Sequence, residues 1–385
     1  MVEVLGHPPR RPLSRSSVAV GIVLAGVFAL LAVHLLRSGF TIPTVERLWT
    51  VPVNALASSG GQWLTIILVL IFRQIPGVQP WFLVVVTVIV AAVMAAYFSA
   101  WLMRRGWARW EAVALTIIFA AHPFLLYLAT SGQPRLLSLG VFAALVFWCS
   151  RLEAIGDVQS QMTAGLVLGL LMVTDPNGIY VLMAVLTVLP IFYRQIVDGK
   201  SAVAAYLLVG LPSLIALSAV MILQLLLSTR SPQFALAVWS SPLHGIPADF
   251  AGYDWLILFG GRPWLAMATI LGLTLAVCPM CLAMLARFVI DRRRIGLIVL
   301  ALGVPLVAGS VATWFWHAAA SWIYVTYCIA GTAIWLMTTS LDQRWRRVVL
   351  ALGLLGTLVA WFAPPVWFEQ DKITWRATLT NTAKH

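Results

Sequence analysis

The sequence predicts an all-α polytopic membrane protein, and three observations lead to this fold class. The 385 residues are 61% hydrophobic and only 10% charged, and their mean hydropathy is +0.95. Apolar runs of roughly 18 or more residues, each long enough to cross a bilayer as a helix, recur along the chain. The alternating pattern of a transmembrane barrel strand is missing, so helices are the spanning structure that we expect.

The apolar runs predict about eleven membrane-spanning helices, within a range of ten to twelve. They lie near residues 18–36, 80–102, 110–128, 135–150, 161–174, 178–193, 203–226, 264–288, 295–313, 320–340 and 347–363. The first run is too long for a signal peptide and is interpreted as an uncleaved span. We therefore divide the chain into a cytoplasmic segment at 1–17, one transmembrane domain at 18–363, and a polar tail at 364–385 that we expect to be disordered or interfacial.

Two short stretches deviate from a simple series of spans. The run WLTIILVLIF, which ends before Arg73, would be about 15 Å long as a helix, whereas the hydrocarbon core is roughly 30 Å thick. It predicts a re-entrant or interfacial helix in the first outer loop. The second stretch, LMVTDPNGIYVL at 171–182, places Asp175, Pro176, Asn177 and Gly178 inside an apolar segment. Proline removes a backbone donor and Asn-Gly favours a turn, so we expect two short helices joined by a tight hairpin.

The formal charge of +12 indicates orientation, because the cations lie mainly in short loops between apolar runs. The positive-inside rule then puts the N-terminus in the cytoplasm, and we expect a bacterial inner membrane protein. The loops assigned to the cytoplasmic side contain Arg104, Arg105, Arg109, Arg292, Arg293, Arg294, Arg344, Arg346 and Arg347. The hairpin at 175–178 and the long loops at 37–78 and 227–262 then lie on the outer face. Nucleic-acid binding is not expected, since no solvated basic face is available for it.

If the chain performs chemistry, polar groups of the outer loops must carry it. Glu46 is the acid between the first span and the short helix, and such a carboxylate could act as a general base or hold a divalent cation. The alternative is a local ion pair with Arg47 or another nearby cation. Arg135 suits a phosphate, which a guanidinium grips with two hydrogen bonds, but it could equally extend towards lipid headgroups. Asp175 either binds a sugar hydroxyl or stabilises the hairpin turn.

Further candidates lie in the loop at 227–262 and in the cysteines. His244, Asp254 and Arg262, together with aromatic residues of that loop, are typical of a carbohydrate-binding platform, although Trp and Tyr also populate every membrane interface. The single histidines, such as His122 before Pro123, are more typical of interfacial anchors. Cys278 and Cys281 have the C-x-x-C spacing of a redox or metal site, but inside an apolar run they fit equally the role of small hydrophobic residues.

Over residues 15–200 the arrangement resembles the GT-C membrane glycosyltransferases, which take sugars from polyprenyl-phosphate donors. The resemblance is carried by the first span, the outer loop with Glu46 and WLTIILVLIF, the segment HPFLLYLATSGQPRLLSLGVFAALVFW, and the segment GLVLGLLMVTDPNGIYVLMAVL. It implies an inverting transfer on the outer face in which Glu46 activates the acceptor, with Mg or Mn often assisting. It also implies that Arg135 lies near the lipid phosphate and that the hairpin, with Asp175 and Asn177, lines the substrate cavity. We expect Arg47 to be a further substrate-binding residue.

The resemblance therefore predicts transfer of a sugar from a polyprenyl-phosphate donor to a lipid, glycan or protein acceptor. The chain departs from the family pattern at Glu46, which stands almost alone where the family often has Asp, and at Asp175, where the family often has a basic residue before the proline. A divergent member that kept the fold as a non-catalytic membrane subunit or scaffold is the first alternative. A transporter or flippase for a lipid or hydrophobic solute is the second, although acids midway through spans, as in proton-coupled transporters, are nearly absent.

Overall fold

The computed structural model describes residues 14–40, 49–50, 63–77, 81–133, 135–155, 157–175, 178–193, 202–227, 263–290, 295–316, 321–362 and 370–380. Throughout these residues the regular structure is helical. The helices are α1 (Arg15–Arg37), α2 (Trp63–Arg73), α3 (Trp81–Arg104), α4 (Arg109–Ala120), α5 (Pro123–Thr130), α6 (Arg135–Ile155), α7 (Val158–Thr174), α8 (Gly178–Tyr193), α9 (Ala202–Leu227), α10 (Pro263–Val277), α11 (Met280–Ile290), α12 (Ile295–Ile298), a π-helical turn (Val299–Gly303), α13 (Val304–Trp316), α14 (Ser321–Thr338), α15 (Gln343–Phe362) and α16 (Gln370–Thr380).

The helices confirm an all-α membrane protein. Five of those described are long and apolar enough to cross a bilayer, and up to seven spans result if each of two bent helix pairs counts as one. There are also several shorter apolar helices with apolar stretches of 10–17 residues, among them α2, α7 and α8. The number of eleven spans, which rests on counting these shorter helices as crossings, stays a prediction.

Two runs that the sequence suggested as single spans are each bent sharply. The run at 110–128 is divided into α4 and α5, which meet at an angle of 71°, and the run at 264–288 is divided into α10 and α11, which meet at 109°. Both breaks occur at a proline, Pro123 in one case and Pro279 in the other. Proline lacks the N–H that would continue the helix and disfavours helical geometry in the residue before it, and His122 accordingly adopts an extended backbone with ψ of 126°.

The short helix and the hairpin appear where the sequence places them. The apolar run WLTIILVLIF lies within α2, which contains 11 residues and packs against α7. Helices α7 and α8 are separated by residues 175–177, as the Asp-Pro-Asn-Gly turn signal predicts. The two short helices contact each other on either side of this break in the apolar segment.

Small residues allow the helices to approach closely. On α7, Gly165 and Gly169 form a G-x-x-x-G spacing that faces α9, and a Cβ atom on Gly165 would come within 2.7 Å of the Val209 carbonyl oxygen. The Ser213 hydroxyl of α9 donates a hydrogen bond to the Gly165 carbonyl at 3.2 Å. In a bilayer, where burial of apolar surface does not drive helix association, such close packing and interhelical hydrogen bonds hold helices together.

The C-terminal tail contains a helix, so this part of it is not disordered, and the expectation that the tail is interfacial stays a prediction. Residues 370–380 form α16, which packs against α1, and the Trp375 side chain is fully buried. Its indole N–H donates to the Thr130 hydroxyl at 3.1 Å, and its ring packs against the rings of Tyr127 and Trp361. The polar composition of the tail concealed one aromatic anchor that attaches the helix to the end of α5.

Candidate functional site

The site is built around Asp175, the residue at which α7 ends. Asp175 has extended backbone geometry, with φ of −138° and ψ of 128°, so the helix cannot continue through it. Its N–H donates to the Leu171 carbonyl at 2.9 Å, and its carbonyl accepts from the Gly178 N–H at 2.9 Å. At Gly178 a Cβ atom would lie only 2.7 Å from the Met172 Cα atom. Glycine therefore allows the start of α8 to pack closely against the last turn of α7. The turn thereby fixes the position of the carboxylate.

The Asp175 carboxylate lies inside the protein, where only 2% of the residue is exposed. The hydroxyl of Tyr327, on α14, donates a hydrogen bond of 2.5 Å to its Oδ2 atom. The Tyr327 ring is itself held in place, because it stacks on Phe142 of α6 with ring centroids 4.5 Å apart. A buried carboxylate needs hydrogen-bond donors to be tolerated, and Tyr327 provides one.

Two further tyrosines surround the pair. The Tyr324 ring meets the Tyr327 ring edge-on at a centroid distance of 6.4 Å, and Tyr324 interacts electrostatically with both Tyr180 and Asp175. The buried Tyr180 hydroxyl has no hydrogen-bond partner among the described residues. Sequence reasoning missed all three tyrosines. A signal existed in the stretch WIYVTY, where Tyr324 and Tyr327 are three residues apart and so share a helix face.

The neighbouring helix also contributes to the hairpin. Ser138, on the first turns of α6, donates its hydroxyl to the Thr174 carbonyl at 3.1 Å. That carbonyl belongs to the last turn of α7, where no backbone N–H of the same helix can reach it. The hydrogen bond therefore satisfies a buried acceptor and fixes the end of α7 against α6, directly before Asp175.

Arg135 begins α6 and is close enough to interact electrostatically with Tyr327. The loop that leads to it is held tightly. Gly132 has φ of +73°, where a side chain would be strained, and a Cβ there would come within 3.2 Å of the Val84 backbone nitrogen. Next to it, the Gln133 side chain is buried and donates from Nε2 to the Tyr127 hydroxyl at 3.2 Å. The structure thus places the predicted residues Arg135 and Asp175 in one neighbourhood around Tyr327.

An apolar cavity of about 230 Å³ lies on another face of α6. Side chains of α3, α4, α5, α6 and α14 form most of its wall, including Met94, Phe119, Leu136, Leu139 and Ile329. Along α6, at about 100° per residue, Leu136 and Leu139 point to the cavity side while Ser138 and Phe142 point to the Asp175 side. Arg135, in the first turn of the helix, lies on the helix surface between these two faces.

Two other candidates in the described region, His122 and the C-x-x-C cysteines, contact residues that are distant in the chain. His122, at the break between α4 and α5, is 4% exposed, and its Nε2 atom is 3.0 Å from the Val277 carbonyl oxygen. This hydrogen bond joins the two sharp bends, since Val277 ends α10. Cys278 and Cys281 lie at the second bend, not within a continuous helix, and Cys281 Sγ is 3.1 Å from the Thr332 hydroxyl. The four cysteines are buried and none forms a disulfide.

Most of the predicted site residues lie outside the described residues. They are Glu46, Arg47, Asn177, His244, Asp254 and Arg262. Within the ranges that are described, no group of three or more His, Cys, Asp or Glu side chains could hold a metal ion. Because the predicted metal ligand Glu46 is not among them, the expected Mg or Mn stays a prediction.

The described geometry therefore amounts to a buried carboxylate with three tyrosines and a nearby arginine, on a helix whose other side lines an apolar cavity. Comparison with known proteins gives no further identification, because no family model, no curated protein and no solved structure matches the chain.

Proposed function

We propose that the chain is a membrane enzyme that transfers a sugar from a polyprenyl-phosphate donor to a lipid, glycan or protein acceptor on the outer face of a bacterial inner membrane. The observation that carries this proposal is the arrangement around the first turn of α6. There, Arg135 begins a helix that lines the apolar cavity with Leu136 and Leu139 on one side and contacts the hairpin and Tyr327 with Ser138 and Phe142 on the other. A donor of this class has three parts, an apolar chain, a phosphate and a sugar, and the three features have the matching chemistry.

Each feature has a distinct task in the proposed site. The cavity takes the first isoprene units of the chain, which its apolar wall suits. Arg135 binds the phosphate, because a guanidinium holds phosphate oxygens in a bidentate manner and stabilises the charge that develops as the sugar leaves. In the proposed complex the helix ends around the hairpin separate, so that the Asp175 carboxylate, which is closed off in the free protein, accepts hydrogen bonds from sugar hydroxyls and the neighbouring tyrosine rings pack on the sugar face. Tyr327 keeps the carboxylate oriented through its 2.5 Å hydrogen bond.

In the transfer step a hydroxyl oxygen of the acceptor attacks the anomeric carbon of the donor sugar. The new glycosidic C–O bond forms as the bond from the anomeric carbon to the phosphate oxygen breaks, and polyprenyl phosphate leaves with the electron pair. The acceptor proton goes to the general base, a role that the family resemblance gives to Glu46. A divalent cation held by Glu46 would add charge stabilisation at the phosphate. Arg47, Asn177, His244, Asp254 and Arg262 complete the proposed substrate contacts.

Transfer assays in liposomes test this proposal. The purified chain is supplied with radiolabelled polyprenyl-phosphate sugars and a membrane extract as the acceptor source, with and without Mg or Mn. We expect transfer by the wild type and a loss of at least about 100-fold in Glu46→Gln, since a positioned general base contributes roughly 10²–10⁴. Arg135→Gln should raise the KM for the donor. Absence of transfer with every donor and acceptor tried would refute the proposal.

A second candidate function is that of a non-catalytic membrane subunit, and one observation favours it. The Tyr327–Asp175 hydrogen bond links α14 to the hairpin. A purely structural role, in which the buried pair fixes the packing of the helices, is sufficient to explain it. The two functions differ in a measurable way. An enzyme consumes the donor by itself, whereas a subunit without activity should co-purify with, and stabilise, a separate membrane protein.

A further inference from the structure

Arginines gather at the end of the bundle opposite to Asp175. Two short connections, from α3 to α4 and from α14 to α15, lie at that end. With the adjoining helix ends they contain six arginines and two carboxylates: Arg104, Arg105, Arg109, Arg344, Arg346 and Arg347, with Glu111 and Asp342. The local charge is therefore strongly positive.

Arg346 fixes the two connections to each other. Its Nε donates to the Leu341 carbonyl at 2.8 Å, within its own connection, while its Nη1 donates to the Gly106 carbonyl and lies 3.7 Å from the Glu111 carboxylate. Its guanidinium also packs over the Trp107 ring at 5.5 Å from the centroid. Glu111 in turn accepts from the Ala108 N–H at 3.1 Å and so caps the start of α4. One side chain thus joins the N-terminal ends of α4 and α15.

Arg105 makes a second connection between the same two loops. Its Nε donates to the Met337 carbonyl, in the last turn of α14, at 3.0 Å. Arg105 and Arg346 therefore both hold the two connections together, and Arg346 also pairs with Glu111. Four arginines of these connections and helix ends are exposed at the surface, namely Arg104, Arg109, Arg344 and Arg347, and the neighbouring Trp110 is 64% exposed.

We propose that this surface, defined by Arg104, Arg109, Trp110, Arg344 and Arg347, binds the headgroup of an anionic phospholipid in the leaflet that it faces. The phosphate would be held between arginines of α4 and α15, which pack against each other. Exposed indole rings favour the level of the headgroups, so Trp110 would lie beside the glycerol and upper acyl chains. Basic pockets at the ends of membrane helices recognise anionic lipids through these interactions.

The surroundings favour a lipid over a soluble anion. The four exposed arginines lie at the ends of apolar helices. Apolar side chains are exposed next to them, such as Val348 of α15, which is 44% exposed and suited to contact with acyl chains. A soluble phosphate would meet the same charges without this apolar contact. The proposal does not depend on the proposed sugar transfer, because the two sites lie at opposite ends of the helices.

The test uses the purified full-length chain in an uncharged detergent, titrated with dioleoyl-phosphatidylglycerol in mixed micelles and followed by native mass spectrometry. The test variant is Arg109→Gln/Arg347→Gln, with the two single variants measured beside it, and the matched control for the single variants is Arg37→Gln, which removes one exposed arginine at the opposite end of the bundle. Each arginine near a membrane surface contributes roughly a fivefold gain in affinity for anionic lipid, so the test variant should bind phosphatidylglycerol about 30-fold more weakly. The control should remain within about twofold of the wild type.

Two further arms use only the wild type and so do not depend on the folding of a variant. Dioleoyl-phosphatidylcholine should bind far more weakly than phosphatidylglycerol, and raising the salt concentration should weaken phosphatidylglycerol binding. Equal binding of the two lipids, or equal phosphatidylglycerol binding by the test variant and the wild type, would overturn the proposal. Glycerol 3-phosphate that bound as tightly as phosphatidylglycerol would also overturn it, because the surface would then be a site for soluble anions.

Discussion

Replacing Tyr327 by Phe removes a single hydroxyl from the centre of the candidate site. The variant keeps the ring and therefore its stacking on Phe142 at 4.5 Å, but it deletes the 2.5 Å hydrogen bond to Asp175. Since Asp175 is only 2% exposed, water cannot readily replace the lost donor. The substitution isolates the contribution of this hydrogen bond to the stability of the hairpin.

The expected magnitude follows from the burial of the acceptor. Removing a hydrogen-bond donor from a buried acceptor costs about 1–3 kcal/mol, and more if the acceptor is charged. Interhelical hydrogen bonds in membrane proteins average about 0.6 kcal/mol, because the unfolded chain in the membrane also finds partners. A carboxylate in a nearly closed site belongs at the upper side of these ranges. We expect Tyr327→Phe to lower the free energy of unfolding by about 1–3 kcal/mol.

Tyr180→Phe provides the matched control. Tyr180 is a tyrosine of the same cluster with a similar degree of burial, but its hydroxyl has no hydrogen-bond partner among the described residues. Its removal should change stability by less than about 0.5 kcal/mol, or increase it slightly, because no hydrogen bond is lost. The assay is reversible unfolding in mixed micelles with increasing SDS, followed by tryptophan fluorescence.

A double-mutant cycle with Asp175→Ala, which removes both acceptor oxygens, then measures the coupling between Tyr327 and Asp175. If the hydrogen bond holds the site together, the coupling energy should be at least about 0.5 kcal/mol, the lower limit for residues in direct contact. Equal effects of Tyr327→Phe and Tyr180→Phe, or additive effects of Tyr327→Phe and Asp175→Ala, would show that the hydrogen bond does not hold the site together.

Three further substitutions test the packing. Gly165→Ala should lower the free energy of unfolding by about 1–3 kcal/mol, because its Cβ would lie 2.7 Å from a backbone oxygen of α9. Gly26→Ala, where no atom lies within 4 Å of the new Cβ, should be neutral or stabilising in the same SDS unfolding assay. Trp375→Phe deletes the 3.1 Å hydrogen bond to the end of α5 and should make α16 more susceptible to proteolysis, with a cost of about 1 kcal/mol. Glu111→Gln should lower stability by at most about 1 kcal/mol and reduce its salt dependence, because the 3.7 Å pair with Arg346 is partly exposed; an unchanged salt dependence would contradict this.

Local sequence signals predicted the features that depend on few residues. Long apolar runs predicted the spanning helices, the length of WLTIILVLIF predicted the short helix α2, and Asp-Pro-Asn-Gly predicted the hairpin. The bends at Pro123 and Pro279 also had a local signal, because proline disfavours a continuous helix, but the hydrophobicity of the flanking residues concealed it. The same chemistry that makes a segment enter the membrane makes its breaks difficult to recognise.

The composition of the site depended on contacts that no local pattern encodes. Tyr327 and Asp175 are 152 positions apart in the chain, and a tyrosine in an apolar helix is equally typical of an interfacial belt. The role of Trp375 was hidden for the same reason, since a single aromatic residue in a polar tail does not indicate burial. Arg135 was predicted as a ligand from its place at a helix end, but its proximity to Tyr327 required the packing of α6 against α14.

The most direct test of the proposed function compares sugar release from a radiolabelled polyprenyl-phosphate donor by the wild type, Asp175→Asn and Asp157→Asn in liposomes. Asp157 is the matched control, because it caps the other end of α7 through a hydrogen bond to the Ser160 N–H that asparagine can also accept. A carboxylate that binds sugar hydroxyls contributes about 1.5–3 kcal/mol, so Asp175→Asn should lose roughly 10- to 150-fold in kcat/KM while Asp157→Asn retains wild-type activity. Release by the wild type that Asp175→Asn leaves unchanged, or no release by the wild type from any donor, would contradict the proposed site and function respectively.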